Sequence, residues 1–257
     1  MASEERARYD EVADWYDAVV REGTIVQDAA IATITRLAGD VAGRRVLDLA
    51  CGQGIVARAM AQRGASVLGV DISEKLLDLA RREETALPLG IEFRDLNAED
   101  LTQLPDGSFD GVVCNMALMD IADLAAVFRG VSRTLRSGGW FVFSIMHPCF
   151  QTPNSRWHVS ERGEPGRLVS DYFNESLWYS ADSVGMRSRV GAHHRMLSTY
   201  LNEMVLAGFQ MEACDEPYIS REHGMTEPAY DLAPALLCVR SVTRADADRG
   251  DAPISQS

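Results

Sequence analysis

Nothing in this 257-residue chain resembles a membrane span: no run of about 18 apolar residues occurs, so a helical crossing is excluded. The first residues, Met1-Ala-Ser-Glu-Glu-Arg, have no apolar core of the kind a signal peptide needs, and a cytoplasmic protein is expected. Cysteine is scarce and unpatterned. The five (Cys51, Cys114, Cys149, Cys214, Cys238) are odd in number and form no C-x-x-C pair. They read as free thiols in a reducing compartment, with neither a disulfide framework nor a zinc site. Positive charge is in short supply as well. Lys and Arg total 25 against 38 Asp and Glu, for a net charge of −13. A nucleic-acid-binding protein presents a basic face, so neither DNA nor RNA is expected as a partner. No internal repeat is found. The 46% hydrophobic content suffices for one α/β core with an insertion.

The most informative stretch is Arg45-Val-Leu-Asp-Leu-Ala-Cys-Gly-Gln-Gly54. A short apolar run carries Asp48 and ends in a turn of small residues, Ala50-Cys51-Gly52-Gln53-Gly54, followed by a helix-period segment. Gly52 and Gly54 have no Cβ to keep a ligand from the backbone, and the helix that follows points its N-terminus at the same spot. Two ligand classes compete for this turn. It satisfies the dinucleotide pattern G-x-G-x-x-A, which makes an NAD(P)-dependent oxidoreductase one reading. Asp48 favours the other. A carboxylate before the glycines repels a pyrophosphate but suits a ligand with a cationic ammonium or sulfonium. A third option is that Asp48 merely caps its own loop.

Further polar residues recur at strand ends. Residues 66–71 form a strand ending in Asp71, placed to accept both hydroxyls of a ribose, with Ile72 next to lie flat against an adenine. Asn97 and Ala98 follow a third strand at 91–96, and the Asn97 amide suits the amino edge of adenine. A fourth strand, 109–115, ends in Asn115 at the same rim. Each feature alone is an ordinary turn former; their order along the chain is what carries information.

With these residues in view, the chain resembles the class I S-adenosylmethionine-dependent methyltransferases of the small-molecule type. The resemblance rests on Val46-Leu-Asp-Leu-Ala-Cys-Gly-Gln-Gly54, Val70-Asp-Ile-Ser73, Asn97-Ala-Glu-Asp-Leu101, Leu104-Pro-Asp-Gly-Ser-Phe-Asp110 and Leu135-Arg-Ser-Gly-Gly-Trp140. It is close over residues 40–146 and looser beyond. It implies a doubly wound, Rossmann-like α/β fold with a seven-stranded, mostly parallel sheet in the order 3-2-1-4-5-7-6, strand seven antiparallel. It also implies S-adenosylmethionine as cofactor, with S-adenosylhomocysteine as product. The implied cofactor residues are Tyr16, Asp48, Ala50, Cys51, Gly52, Gly54, Asp71, Ile72, Asn97, Ala98 and Asn115. Asn97 stands where the family often has Asp, and adds no charge.

Outside the sheet, Val12, Trp15, Tyr16 and Val19 form one apolar helical stripe behind Ser3 as cap. Tyr9 and Tyr16 share a face, and by the resemblance Tyr16 would contact the methionine carboxylate. A second helix is expected at 24–38, others at 73–84, 121–135 and 198–207, a fifth strand at 140–146, and a closing pair at 210–216 and 235–241. The chain thus divides into an N-terminal helical cover (1–40), a methyltransferase domain (41–243) and a polar, disordered tail (244–257). Within the domain, residues 147–197 are far longer than an ordinary connection. They hold Trp157, Tyr172, Phe173, Trp178 and Tyr179 among several arginines, and read as a lid over a flat organic substrate and as a contact for a second copy. Methyl transfer needs a base only if the acceptor must lose a proton early. His147, at the rim after strand five, and His194, before the last helix, are the candidates. Adjacent His193 and His194 diverge and have no carboxylate at ligand spacing, so no metal is expected. The combined expectation is methyl transfer to O, N or C of a small, aromatic, natural-product-like molecule of secondary metabolism.

Overall fold

The computed structural model describes residues 2–181, 185–219 and 232–244. The chain begins with α1 (Ala2–Glu22) and α2 (Ile25–Ala38), then alternates β1 (Arg45–Leu49), α3 (Ile55–Gln62), β2 (Ser66–Asp71), α4 (Glu74–Ala86) and β3 (Glu92–Asp95). Next come β4 (Phe109–Asn115), α5 (Leu124–Thr134) and β5 (Leu135–Met146). The insertion holds β6 (Arg156–Val159), β7 (Pro165–Leu168), β8 (Ser176–Trp178), α6 (Met186–Arg189) and β9 (Ala192–His194). The chain closes with α7 (Leu197–Leu206), β10 (Phe209–Asp215) and β11 (Leu236–Thr243).

Seven strands form one sheet in the order β3-β2-β1-β4-β5-β11-β10. All neighbours are parallel from β3 to β5, while β11 runs antiparallel to both β5 and β10. This is the order expected from the resemblance, with β11 as the seventh strand and β10 as the sixth. The central strands alternate between two buried faces, which explains why they are apolar throughout. Val46, Val113 and Val142 pack with Ile34 of α2 and with Val56, Ala57 and Met60 of α3. Leu47, Val112, Phe141 and Phe143 pack on the other side with Val127, Phe128 and Val131 of α5 and Tyr200 of α7.

The ring of Phe128 is fully buried and meets Phe141, Phe143 and Phe209 edge-on, with centroids 5.7, 5.8 and 6.2 Å away. Truncating it leaves a ring-sized hole bounded by two strands and their neighbours. Phe128→Ala is expected to cost about 3–5 kcal/mol in a denaturant titration. A cost below about 1 kcal/mol would show that the cluster collapses to fill the gap.

Local chemistry moves several boundaries. Helix α5 starts at Leu124, three residues later than the apolar pattern suggests, because the Asp123 side chain caps it by accepting from the Ala126 N–H at 2.8 Å. Strand β5 begins at Leu135, so Ser137, Gly138 and Gly139 fall inside it, with Gly138 at φ +70°. Helix α1 starts at Ala2, before Ser3. Helix α2 packs on the sheet through Ile34, Leu37 and Ala38, and its first turn, Ile25, Val26 and Gln27, lines the cavity at the sheet's rim. The tail beyond Arg244 is outside the described residues.

In the insertion, β6 and β7 form one antiparallel ribbon and β8 and β9 another. The segment is tied to the sheet rim where the His193 N–H donates to the Met119 carbonyl at 2.7 Å. Its aromatics do not act alike: Trp157, Trp178 and Tyr179 face a cavity, whereas Phe173 is 85% exposed. Phe173 lines neither this cavity nor the one at the sheet's rim, so it adds nothing to the lid over a flat substrate that its sequence position suggests.

Candidate active site

The carboxyl ends of β1, β2, β4 and β5 and the loop after β3 converge on a cavity of about 620 Å³. Ten of the eleven residues proposed from sequence line it: Tyr16, Asp48, Ala50, Cys51, Gly52, Asp71, Ile72, Asn97, Ala98 and Asn115. This is where the doubly wound topology puts a ligand, since connections on either side of β1 leave in opposite directions and open a crevice.

The turn after β1 is shaped by its backbone. Ala50, Gly52 and Gly54 all have positive φ, at +53°, +54° and +82°. Gly54 is the residue that does not reach the cavity. It is the left-handed N-cap of α3, and a Cβ there would stand 2.8 Å from Cζ of Phe93. Its glycine is required for packing α3 towards β3. Gly52 has room for a Cβ, whose nearest neighbour would be Tyr16 Cε1 at 3.9 Å, so its constraint is the dihedral angle.

Asp71 holds the turn from the next strand. Its Oδ2 accepts from the Gly52 N–H at 2.7 Å and its Oδ1 from the Ser73 N–H at 2.9 Å. Burial raises its pKa, and the two N–H groups offset that in part. Asp48 is in a different position. It is 1% exposed, and neither carboxylate oxygen meets hydrogen-bond geometry with any described residue. Burial pushes its pKa up to about 8; the Ala57 N–H pulls it down in part and the charge on Asp71 adds to the rise. A buried, unpaired carboxylate on a cavity wall is costly unless a ligand supplies the missing partner. The Ala57 N–H, in the first turn of α3, is close enough to lower its pKa without reaching hydrogen-bond geometry, and it is the contact that the option of Asp48 capping its own loop rests on.

Helix α1 covers this cavity. Asp10 accepts from the Ser73 hydroxyl at 2.6 Å, and Asp17 accepts from the Gln53 amide at 3.4 Å, which fastens α1 to the rim. Tyr9 and Tyr16 both line the cavity, as their shared helical face suggests. Burial raises both phenols, Tyr16 to about 12. Arg189 stacks over Trp15 at 4.5 Å and Arg8 donates to the Val190 carbonyl at 2.9 Å, so α1 also grips the insertion.

A second cavity of about 660 Å³ lies between the sheet rim and the insertion. The two share Met119, Met146 and Arg187 as common wall. Arg187 is paired with Asp120, which also bonds Tyr9. Sequence reasoning missed this trio. A lone acid in the apolar run Ala117-Leu118-Met119-Asp120-Ile121, directly after the strand-four rim, was the available signal.

The two candidate histidines part company. His147 is 2% exposed and lines neither cavity. Its Nε2 meets Glu216 at 2.6 Å and its Nδ1 accepts from the Cys149 N–H at 3.2 Å. Both nitrogens are engaged in shaping the turn after β5, and burial lowers its pKa despite Glu216. His194 lines the second cavity and donates from Nε2 to the Tyr172 carbonyl at 2.8 Å, which leaves Nδ1 as acceptor. His193, which the sequence reading did not name as a base, lines the same cavity, and burial followed by Arg195 keeps its pKa low.

Comparison with known proteins agrees with this geometry. The family model described as a methyltransferase domain matches residues 47–143. A ubiquinone biosynthesis O-methyltransferase of Bordetella avium is 40% identical over 114 residues, which are 44% of this chain and 47% of that protein. The chain thus spans about half the length of the curated relatives it matches. An S-adenosylmethionine-dependent methyltransferase from Mesorhizobium loti, solved by crystallography, is 30% identical and superposes with a TM-score of 0.72 over 86% of this chain and 99% of that one. A Burkholderia thailandensis 1,6-didemethyltoxoflavin-N1-methyltransferase, crystallised with 1,6-didemethyltoxoflavin and S-adenosylhomocysteine, shares the fold at 15% identity and a TM-score of 0.61, covering 93% of this chain and 87% of that one. From its sheet order, its rim residues and its likeness to the Mesorhizobium loti enzyme along nearly the whole of that chain, this protein belongs to the class I S-adenosylmethionine-dependent methyltransferases.

Proposed function

We propose that the chain moves a methyl group from S-adenosylmethionine to a small aromatic acceptor, with the first cavity holding the cofactor and the second the acceptor. The observation that carries this reading is Asp48, a buried carboxylate with no partner on a cavity wall. It fits an ammonium-bearing ligand and opposes the pyrophosphate of a nicotinamide cofactor. In this reading Asp71 takes the ribose, Ile72 and Asn97 the adenine, and Tyr16 the methionine carboxylate.

The bound cofactor supplies a methyl already activated on sulfur, so the protein's task is to align the acceptor and keep water out. Helix α1 and the insertion do the second. Trp157, Trp178 and Tyr179 suit the flat face of an acceptor. Where the acceptor must lose a proton, His193 and His194 stand on the correct wall and His147 does not. The O-methylation named for the Bordetella avium relative is one form this takes; N- and C-acceptors fit the same cavity.

A thermal-shift titration with S-adenosylmethionine, S-adenosylhomocysteine, NAD and NADP tests the reading, because a ligand that binds only the folded state raises its melting temperature. Stabilisation by the two adenosyl-sulfur compounds alone is expected. Stabilisation by a nicotinamide cofactor alone would overturn it.

A further inference from the structure

The second cavity has an unusual charge for an acidic protein. It is lined by Arg156, Arg167, Arg187 and Arg195 and by two histidines, while no Asp or Glu is among the described residues that line it. The chain as a whole carries a net charge of −13, so the arginines are concentrated against the average. Arg187 is balanced by Asp120 on the first-cavity side. Arg195 is 8% exposed and is held by the carbonyls of Leu118, Ile121 and Ala122 and by the Tyr200 hydroxyl, all uncharged. These partners fix the guanidinium without cancelling its charge. A fixed, partly buried cation of this kind raises the local potential, and low-dielectric walls focus it into the cavity.

A second observation is independent of charge. Thr152 is 1% exposed and lines this cavity, yet its hydroxyl has no hydrogen-bond partner among the described residues. It stands in a turn closed by the Ser155 N–H donating to the Thr152 carbonyl at 3.1 Å. Arg167 donates to the Ser155 hydroxyl at 2.7 Å and stacks over Trp157 at 4.8 Å, and Arg156 follows Ser155 directly. One wall therefore brings together an unused buried hydroxyl, two guanidinium groups and an indole face. Unmet polar groups inside a cavity point to a ligand that completes them.

We propose that the acceptor is an organic anion, an aromatic carboxylate whose ring lies along Trp157 and whose carboxylate takes the Thr152 hydroxyl and the wall formed by Arg156 and Arg167. This rests on the second cavity being the acceptor site, as above. The arginines select by sign, since a neutral acceptor of equal shape does nothing to offset their positive potential and leaves the Thr152 hydroxyl unmet.

The test is calorimetry on the full chain. S-adenosylhomocysteine is titrated first, and the saturated protein then receives matched pairs: benzoate and benzamide, salicylate and salicylamide, 1-naphthoate and 1-naphthamide. At least one carboxylate is expected to bind ten-fold or more tightly than its amide, and to weaken as salt is raised. Arg156→Gln, at an exposed position, is expected to narrow that ratio to below three-fold while S-adenosylhomocysteine binds unchanged. Thr152→Val is expected to act in the same direction. Equal binding of acid and amide in all pairs, no binding of any acid, or an unaltered ratio in Arg156→Gln overturns the inference and leaves the cofactor reading intact. Absence of heat with S-adenosylhomocysteine itself overturns both.

Discussion

Asp48→Asn weakens S-adenosylmethionine binding by on the order of 100-fold and leaves the ligand-free protein at least as stable as the parent. These two effects go in opposite directions because the carboxylate is buried and unpartnered in the folded chain. An amide of the same shape removes a group whose ionisation burial opposes, and with it the carboxylate that attracts the cofactor's ammonium. The pH dependence follows from the same group. Its folded pKa of about 8 lies above the ordinary carboxylate value, so the unfolded chain releases this proton first as pH rises. The contribution of Asp48 to stability is full below about pH 4, falls between about pH 4 and pH 8, and is flat above. In the Asp48→Asn variant that part of the slope disappears. Cofactor binding shows the reverse trend. An ammonium beside Asp48 favours the ionised form, so binding near neutrality releases a proton and tightens as pH approaches 8. Calorimetry in two buffers of different ionisation enthalpy measures that proton directly. Equal affinity of parent and variant would remove Asp48 from the cofactor site.

Asp71→Ala loses cofactor affinity by a similar factor but loses stability with it. Asp71 accepts the Gly52 and Ser73 N–H groups, at 2.7 and 2.9 Å, and both lie in the turn-and-cap layer under α1. Deleting the side chain leaves two buried donors without partners, at about 1–3 kcal/mol each where water cannot reach them. The Ser73 cap of α4, which also holds Asp10 of α1, loosens as a consequence. The expected result is a melting temperature several degrees lower, about 2–4 °C for each kcal/mol in a chain of this size, together with weak cofactor binding. A variant with parental affinity would exclude the ribose role. A variant with weak binding and full stability would mean that the turn is held by other contacts.

These two acids illustrate how much is legible in advance. Both stand out by position alone, one inside the first strand and one at the end of the second, because a parallel sheet with short rim turns puts successive strand ends side by side. The same logic reaches Asn97, Ala98 and Asn115. It fails where a glycine has two possible uses. Gly54 fits a ligand-cradle pattern, but its missing Cβ makes room for Phe93, a residue 39 positions away that no local pattern connects to it. Nor does it reach the orientation of His147. A histidine at the rim after a strand has the address of a base, but Glu216 and the Cys149 N–H turn its ring into the wall.

Periodicity and neighbours a few residues apart are enough to specify the strand–turn–helix order, the two buried faces of the central strands, the cap at Ser73 and the rim acids. These features are written locally, so the amino-acid order contains them without reference to the rest of the molecule. Other features arise when distant segments pack. Helix α2 flanks the sheet while α1 covers the cavity, and Asp120, Arg187 and Tyr9 meet at the wall between two cavities. Thr152 and four arginines come to face one space. Those arrangements join residues tens to nearly two hundred positions apart. They follow from how the insertion and α1 close over the sheet, a matter of long-range packing and charge that no local pattern encodes.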